Sequence, residues 1–68
     1  MQISARNKLV GTVTSVKLGS VMAEVVVAVS DNEIVSVVTR TSAEELGLAE
    51  GDSVTVIVKS TEVMLAKD

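Results

Sequence analysis

The stretch Val21-Met22-Ala23-Glu24-Val25-Val26-Val27-Ala28-Val29-Ser30 decides how the chain is read. Valine crowds a helix at χ1 but packs well on a pleated surface, so a run this rich in it predicts an extended segment. With a side-chain period of two, Val21, Ala23, Val25, Val27 and Val29 share one face. The other face carries Met22, Glu24, Val26, Ala28 and Ser30 and is only partly polar. A strand so apolar on both faces is a central or interface strand, not a solvated one. The apolar run Val21–Val29 is interrupted by Glu24 and is too short to span a bilayer.

Working back, Gly19-Ser20 reads as a turn. Leu9 to Leu18 reads as a preceding strand carrying Val10, Thr12, Val13, Thr14 and Val16, with Gly11 marking a bend or bulge. Working forward, Asp31-Asn32 predicts a hairpin turn, and Glu33 to Thr39 a third strand. The period then changes. Ser42-Ala43-Glu44-Glu45 matches a capping box, and Gly47 after Leu46 a left-handed stop, predicting a short helix of roughly a turn and a half. Ala49-Glu50-Gly51-Asp52 is a second turn. Val54, Val56 and Val58 alternate with Thr55, Ile57 and Lys59 in a fourth strand, and Thr61 to Ala66 predicts a fifth. Three strands, a short helix and two strands is the order of the five-stranded OB barrel, so the expected fold is mainly β, a small OB-like barrel formed by one domain over residues 1–68.

The composition bounds what such a domain does. Its 68 residues include no aromatic, cysteine, histidine or proline, and 47% are hydrophobic. A core this small usually needs a disulfide, a structural metal or association, and only the last is open here. Some apolar surface is therefore expected to lie against another subunit. Six basic residues against nine acidic ones, a net charge of −3, argue against general nucleic-acid binding, and no ring is present to stack a base or a pterin. Met1 runs straight into polar Gln2, Ser4, Arg6, Asn7 and Lys8, unlike a secretory leader, so a soluble, cytoplasmic protein is expected.

Catalytic equipment is lacking. Neither histidine nor cysteine is available as base or nucleophile. Glu44, Glu45, Glu50 and Asp52 fall at caps and turns, and Glu50/Asp52 lacks the ligand run of a calcium loop. Glycines 11, 19, 47 and 51 are scattered, so no phosphate-cradling loop is formed. What the chain does offer is donors. Ser4 and Arg6 supply a hydroxyl and a guanidinium fork, with the amides of Ala5 and Arg6 beside them. Lys59 and Ser60 supply an ammonium and a hydroxyl. Thr39 and Ser42 flank the expected helix start. None of the three groups contains an acidic residue, which suits a fully ionised tetrahedral oxyanion held by hydrogen bonds, with no direct protein ligation of a metal. Each residue also has a plain structural reading, as a solvated side chain, a turn or a cap.

Taken together, Ser4-Ala5-Arg6-Asn7 with Gly11-Thr12-Val13, then Thr39, Ser42, Leu46-Gly47-Leu48 and Glu50-Gly51, then Lys59-Ser60-Thr61-Glu62-Val63-Met64 resemble the Mop domain of the molbindins over essentially the whole chain. The resemblance implies an OB-type fold assembled as a homohexamer, a trimer of dimers, that stores or buffers molybdate and also tungstate, without enzymatic activity, at sites between subunits. By matching positions it implies a main site of Ser4, Ala5, Arg6, Lys59 and Ser60, joined by Thr39 and Ser42. It also implies a second class of site near a threefold axis around Gly19, Ser20, Val21 and Met22. No pterin is expected.

Three other readings compete. Leu46 to Val54 also looks like the turn of AbrB-type swapped-hairpin DNA-binding domains, which use a basic surface that this acidic chain lacks. A lipoyl or biotin carrier would need a modified-lysine turn that Met64-Leu65-Ala66-Lys67 does not form. A purely structural oligomerisation module is the third.

Overall fold

The computed structural model describes residues 2–68. Met1, where the reading of the N-terminus begins, lies outside the described residues. Four strands form one antiparallel sheet: β1 (Asn7–Leu18), β2 (Met22–Val29), β3 (Asn32–Thr39) and β4 (Ser53–Val58), with a helix α1 (Arg40–Leu46) between β3 and β4. The sheet order is β3-β2-β1-β4, so β3 and β4 are its two edges and are not bonded to each other. β1 is long enough to serve two partners. Its first half pairs with β4, from Asn7 opposite Val58 to Thr12 opposite Ser53. Its second half pairs with β2, ending with Leu18 opposite Ala23.

The alternation read over Val21–Ser30 holds within β2, whereas Val21 lies just before the strand and is exposed. Ala23, Val25 and Val27 are buried and meet Val13 of β1, and Val16, Val29, Val38, Leu48, Val54 and Val56 pack around that cluster. The β1–β2 register shifts between Val13 and Ser15, where a bulge bends the strand. Gly11 lies just before it at a close approach: a Cβ there would stand 2.6 Å from the Ala28 carbonyl oxygen. The turn Ala49–Asp52 is tied to β1 by Val13 N–H donating to Asp52 O and Gly51 N–H to Val13 O. Asp52 Oδ2 accepts from Ala49 N–H at 2.9 Å, so this carboxylate builds the turn.

Several expectations are corrected. β1 starts at Asn7, two residues earlier than Leu9, because pairing with β4 continues to Val58. Val29 faces Asn32, so the hairpin loop is Ser30-Asp31 rather than Asp31-Asn32, and Ser30 takes the left-handed backbone at φ 51°. The helix is capped by Thr39, not Ser42. Thr39 is extended (φ −69°, ψ 149°), and its Oγ1 accepts from Ser42 N–H, so the helix begins at Arg40 and runs seven residues. Gly47 does end it in the left-handed region, at φ 64°.

The fifth strand is not formed. Ser60–Glu62 is a 3-10 turn, and no strand follows it among the described residues. A strand requires a ladder partner for its backbone groups. The segment after β4 pairs with neither edge of the sheet, and Met64 and Leu65 stand 93% and 94% exposed.

The surface is correspondingly large. A folded monomer of 7.1 kDa is expected to expose about 4,100 Å², whereas this chain exposes 5431 Å². The excess carries apolar side chains: Val10, Val21, Val35, Val37 and Leu46 are exposed as well as Met64 and Leu65.

Candidate oxyanion-binding site

The donors group at the two ends of β1. At its start, Asn7 faces Val58, and Asn7 Nδ2 donates to the Val58 carbonyl oxygen at 3.2 Å. The segments leaving that pair are Arg6-Ala5-Ser4 on one side and Lys59-Ser60 on the other. Two stretches more than fifty positions apart in sequence are therefore neighbours because the first and last strands pair. A groove of about 440 Å³ opens there, lined by Arg6, Asn7, Lys8, Leu9, Val58 and Val63. Lys59 is extended (φ −65°, ψ 130°) and caps the 3-10 turn that Ser60 begins, with Glu62 N–H donating to Lys59 O at 2.9 Å.

The side chains of Ser4, Arg6, Lys59 and Ser60 make no hydrogen bond or ion pair with another described residue. Their donors are free. Ala5 is half-buried, while Ser4, Arg6, Lys59 and Ser60 are exposed. Arg6, Lys8 and Lys59 bring three cations to this end. The nearest acid in sequence is Glu62, in the same 3-10 turn. Lys8 and Asn7 were not among the residues singled out as donors. Beginning the strand at Leu9 hid them, whereas starting it at Asn7 makes both part of the groove.

The other end of β1 gathers the remaining residues. Met22 faces Thr39 across the β2–β3 ladder, and Arg40 N–H donates to Val21 O at 2.8 Å. Thr39 and Ser42 therefore sit beside Gly19, Ser20, Val21 and Met22, with the length of β1 between them and Ser4–Arg6 in the same chain. Thr39 Oγ1 also donates to Ser42 Oγ at 2.8 Å, which occupies the Thr39 proton and leaves the Ser42 proton unassigned to any acceptor. Arg40 was not singled out from the sequence either. Its Nη1 donates to Gly19 O at 3.2 Å, and its Nε lies 3.6 Å from Glu44 Oε2. Among the described residues, no cluster of carboxylates, cysteines or histidines able to hold a metal ion is present. Among the described residues, no helix is long and apolar enough to cross a membrane.

This arrangement of donors can be set beside known proteins. Residues 3–65 match the TOBE domain. Molybdenum-pterin-binding protein 2 of Clostridium pasteurianum is 50% identical over 66 residues, covering 96% of this chain and 97% of that protein. Among solved structures, a molybdate binding protein from Sporomusa ovata superposes with a TM-score of 0.94 at 43% identity, covering 98% of this chain and all of that one. The cytoplasmic molybdate-binding protein ModG, in a form with molybdate bound, gives a TM-score of 0.82 at 43% identity, over 88% of this chain and 43% of that one.

Proposed function

From the premise that this chain belongs to the TOBE-domain family and to the molybdenum-pterin-binding proteins within it, we propose that it binds molybdate, and also tungstate, reversibly at sites between subunits of a homo-oligomer. The observation that carries the proposal is the Asn7–Val58 pairing, which sets Ser4, Ala5 and Arg6 beside Lys59 and Ser60 with their donors unspent.

The chemistry follows from that inventory. A tetrahedral dianion accepts hydrogen bonds at every oxygen and donates none. Arg6 and Lys59, with Lys8 lining the same groove, offset its charge. The hydroxyls of Ser4 and Ser60 and the amides of Ala5 and Arg6 direct it. The anion keeps its oxygens throughout, because N–H and O–H donors hold it and no protein atom replaces an oxygen. Phosphate near neutral pH carries a proton that needs an acceptor, and a wall of donors leaves that proton unmatched. Sulfate has the same charge as molybdate but is smaller, so the span of the pocket separates the two.

Assembly completes the site. In one chain Thr39 and Ser42 lie at the far end of β1 from Arg6, so a subunit contributes its Thr39–Ser42 end to a neighbour's Arg6–Lys59 end. The surface excess and the open sheet support this. β3 and β4 are unpaired edges, the inner face between them forms an apolar groove of about 600 Å³ that Val25, Val38, Leu48, Val54 and Val56 help to line, and Val63-Met64-Leu65 is apolar and unpartnered. A fifth strand and closure of the OB-like barrel form when such a segment meets an edge in the assembly, which we take to be a hexamer built as a trimer of dimers. The protein is a non-enzymatic cytoplasmic buffer or store for the anion. The swapped-hairpin DNA-binding reading gains nothing from the fold, and a module serving assembly alone is the outcome to exclude.

The test is incubation with molybdate in excess sulfate, then gel filtration with light scattering and elemental analysis. Molybdenum should travel with a species several times the chain mass. A metal-free assembly would leave only the structural module, and a stable monomer would remove the intersubunit site.

A further inference from the structure

The Gly19–Met22 turn has an unusual distribution of satisfied groups. Three of its carbonyl oxygens are occupied: Gly19 O accepts from Arg40 Nη1, Val21 O from Arg40 N–H, and Met22 O from Gly19 N–H at 2.7 Å. The amides of Ser20 and Val21 donate to no acceptor among the described residues, and both residues are exposed. Of the turn's four carbonyl oxygens only Ser20 O accepts from no described donor, and two amides stay unspent, a balance toward donors that an anion needs from a backbone turn. Two of the three occupied carbonyls are held by one residue, Arg40, through its backbone and its side chain together.

We propose that Arg40 is the positioning residue of the second oxyanion site that the family resemblance implies at Gly19–Met22, holding this turn with the Ser20 and Val21 amides unspent, and that Glu44 restrains it. The proposal rests on the molybdate-binding reading above and adds to it a residue that neither motif contains. Arg40 uses its Nη1 on Gly19 O and its Nε toward Glu44, which leaves further guanidinium donors beside the turn. The Arg40–Glu44 pair is exposed, with side chains 42% and 56% accessible, so it holds the guanidinium weakly and yields it to an arriving dianion. The Glu44 carboxylate, meanwhile, repels that dianion. Arg40 and Glu44 thus act in opposite senses on one site. The Ser42 hydroxyl lies on the same side of the fold, two positions beyond Arg40.

The experiment is a titration of the ¹⁵N-labelled chain with molybdate in excess sulfate, followed by amide shifts at Ser20 and Val21, with Ala5, Arg6 and Ser60 reporting the other end of β1. In the parent chain both sets should move. In Arg40→Leu, which keeps the backbone bond to Val21, the Ser20/Val21 midpoint should rise about fivefold or more, and clearly further than the Ala5/Arg6/Ser60 midpoint, to which the same Thr39–Ser42 end contributes through its hydroxyls. Arg40→Lys should recover part of that loss, since it restores charge but not the fork. Glu44→Gln, which leaves Arg40 in place, should lower the Ser20/Val21 midpoint by about two- to fivefold.

A Ser20/Val21 midpoint in Arg40→Leu that is unchanged or rises no further than the Ala5/Arg6/Ser60 midpoint, full recovery in Arg40→Lys, or unchanged or weaker binding in Glu44→Gln would each overturn the proposal. Movement at Ala5, Arg6 and Ser60 with Ser20 and Val21 still would overturn it and leave the main site standing. Silence at every amide would overturn both.

Discussion

Asn7 and Val58 face each other across the β1–β4 ladder, and the Asn7 side chain adds a second tie by donating to the Val58 carbonyl oxygen at 3.2 Å. That pairing joins the polar N-terminal stretch to the polar stretch after the last strand. Everything proposed for the main site depends on it, because neither Arg6 nor Lys59 has enough partners alone to hold a dianion.

The first prediction separates site from surface. Arg6→Ala should weaken molybdate binding about tenfold, the loss of one charge-assisted hydrogen bond. Lys17→Ala removes the same charge from a residue that faces Glu24 across the β1–β2 ladder and belongs to neither donor group. It should leave the midpoint unchanged in equilibrium dialysis. Equal effects would mean that only net charge is being read.

The second concerns the cap. Thr39→Ala removes the hydroxyl that accepts from Ser42 N–H at 3.1 Å and should cost about 1 kcal/mol in urea unfolding. Glu45→Ala should cost less than half of that, since no capping box uses its side chain. A larger loss at Glu45 than at Thr39 would move the cap back to Ser42.

The third concerns backbone approach at Gly11. A Cβ there meets the Ala28 carbonyl oxygen at 2.6 Å and Val27 Cγ1 at 2.6 Å, and the carbonyl belongs to the adjacent strand, so it cannot swing aside. Gly11→Ala should lower stability by about 2 kcal/mol or more. A loss under half of that, by urea unfolding at one protein concentration, would show that β1 and β2 separate freely here.

The fourth follows from the surface. A chain exposing 5431 Å² with Met64 and Leu65 almost fully accessible should owe stability to association. Its Tm should rise with protein concentration, and rise again with molybdate. A Tm independent of concentration over two decades would contradict assembly as part of folding.

Much of this was legible in the sequence, for local reasons. The alternation of Ala23, Val25 and Val27 shows which face is buried, and Gly47 after Leu46 marks the helix stop. Where two local signals overlapped, the sequence could not choose. Thr39-Arg40-Thr41-Ser42 and Ser42-Ala43-Glu44-Glu45 both place a hydroxyl three residues before a polar one, and only the extended backbone at Thr39 decides between them. The hairpin shifted by one because the register of Val29 with Asn32 keeps the core face together, and Ser30 accepts a left-handed backbone in consequence. The fifth strand failed for a different reason: Thr61 to Ala66 has strand propensity, but propensity supplies no ladder partner. Of the candidate site, the donor residues could be picked out singly. That Ser4–Arg6 and Lys59–Ser60 meet, while Thr39 and Ser42 lie at the other end of β1, is a matter of strand order, which local patterns do not carry.

The most direct measurement is a calorimetric titration of the assembled protein with molybdate, run alone and then in excess sulfate and in excess phosphate. The account predicts a saturable isotherm that survives both competitors and is strongly weakened when Arg6→Ala and Lys59→Ala are combined. Absence of heat across micromolar molybdate, or displacement by equimolar phosphate, would contradict it.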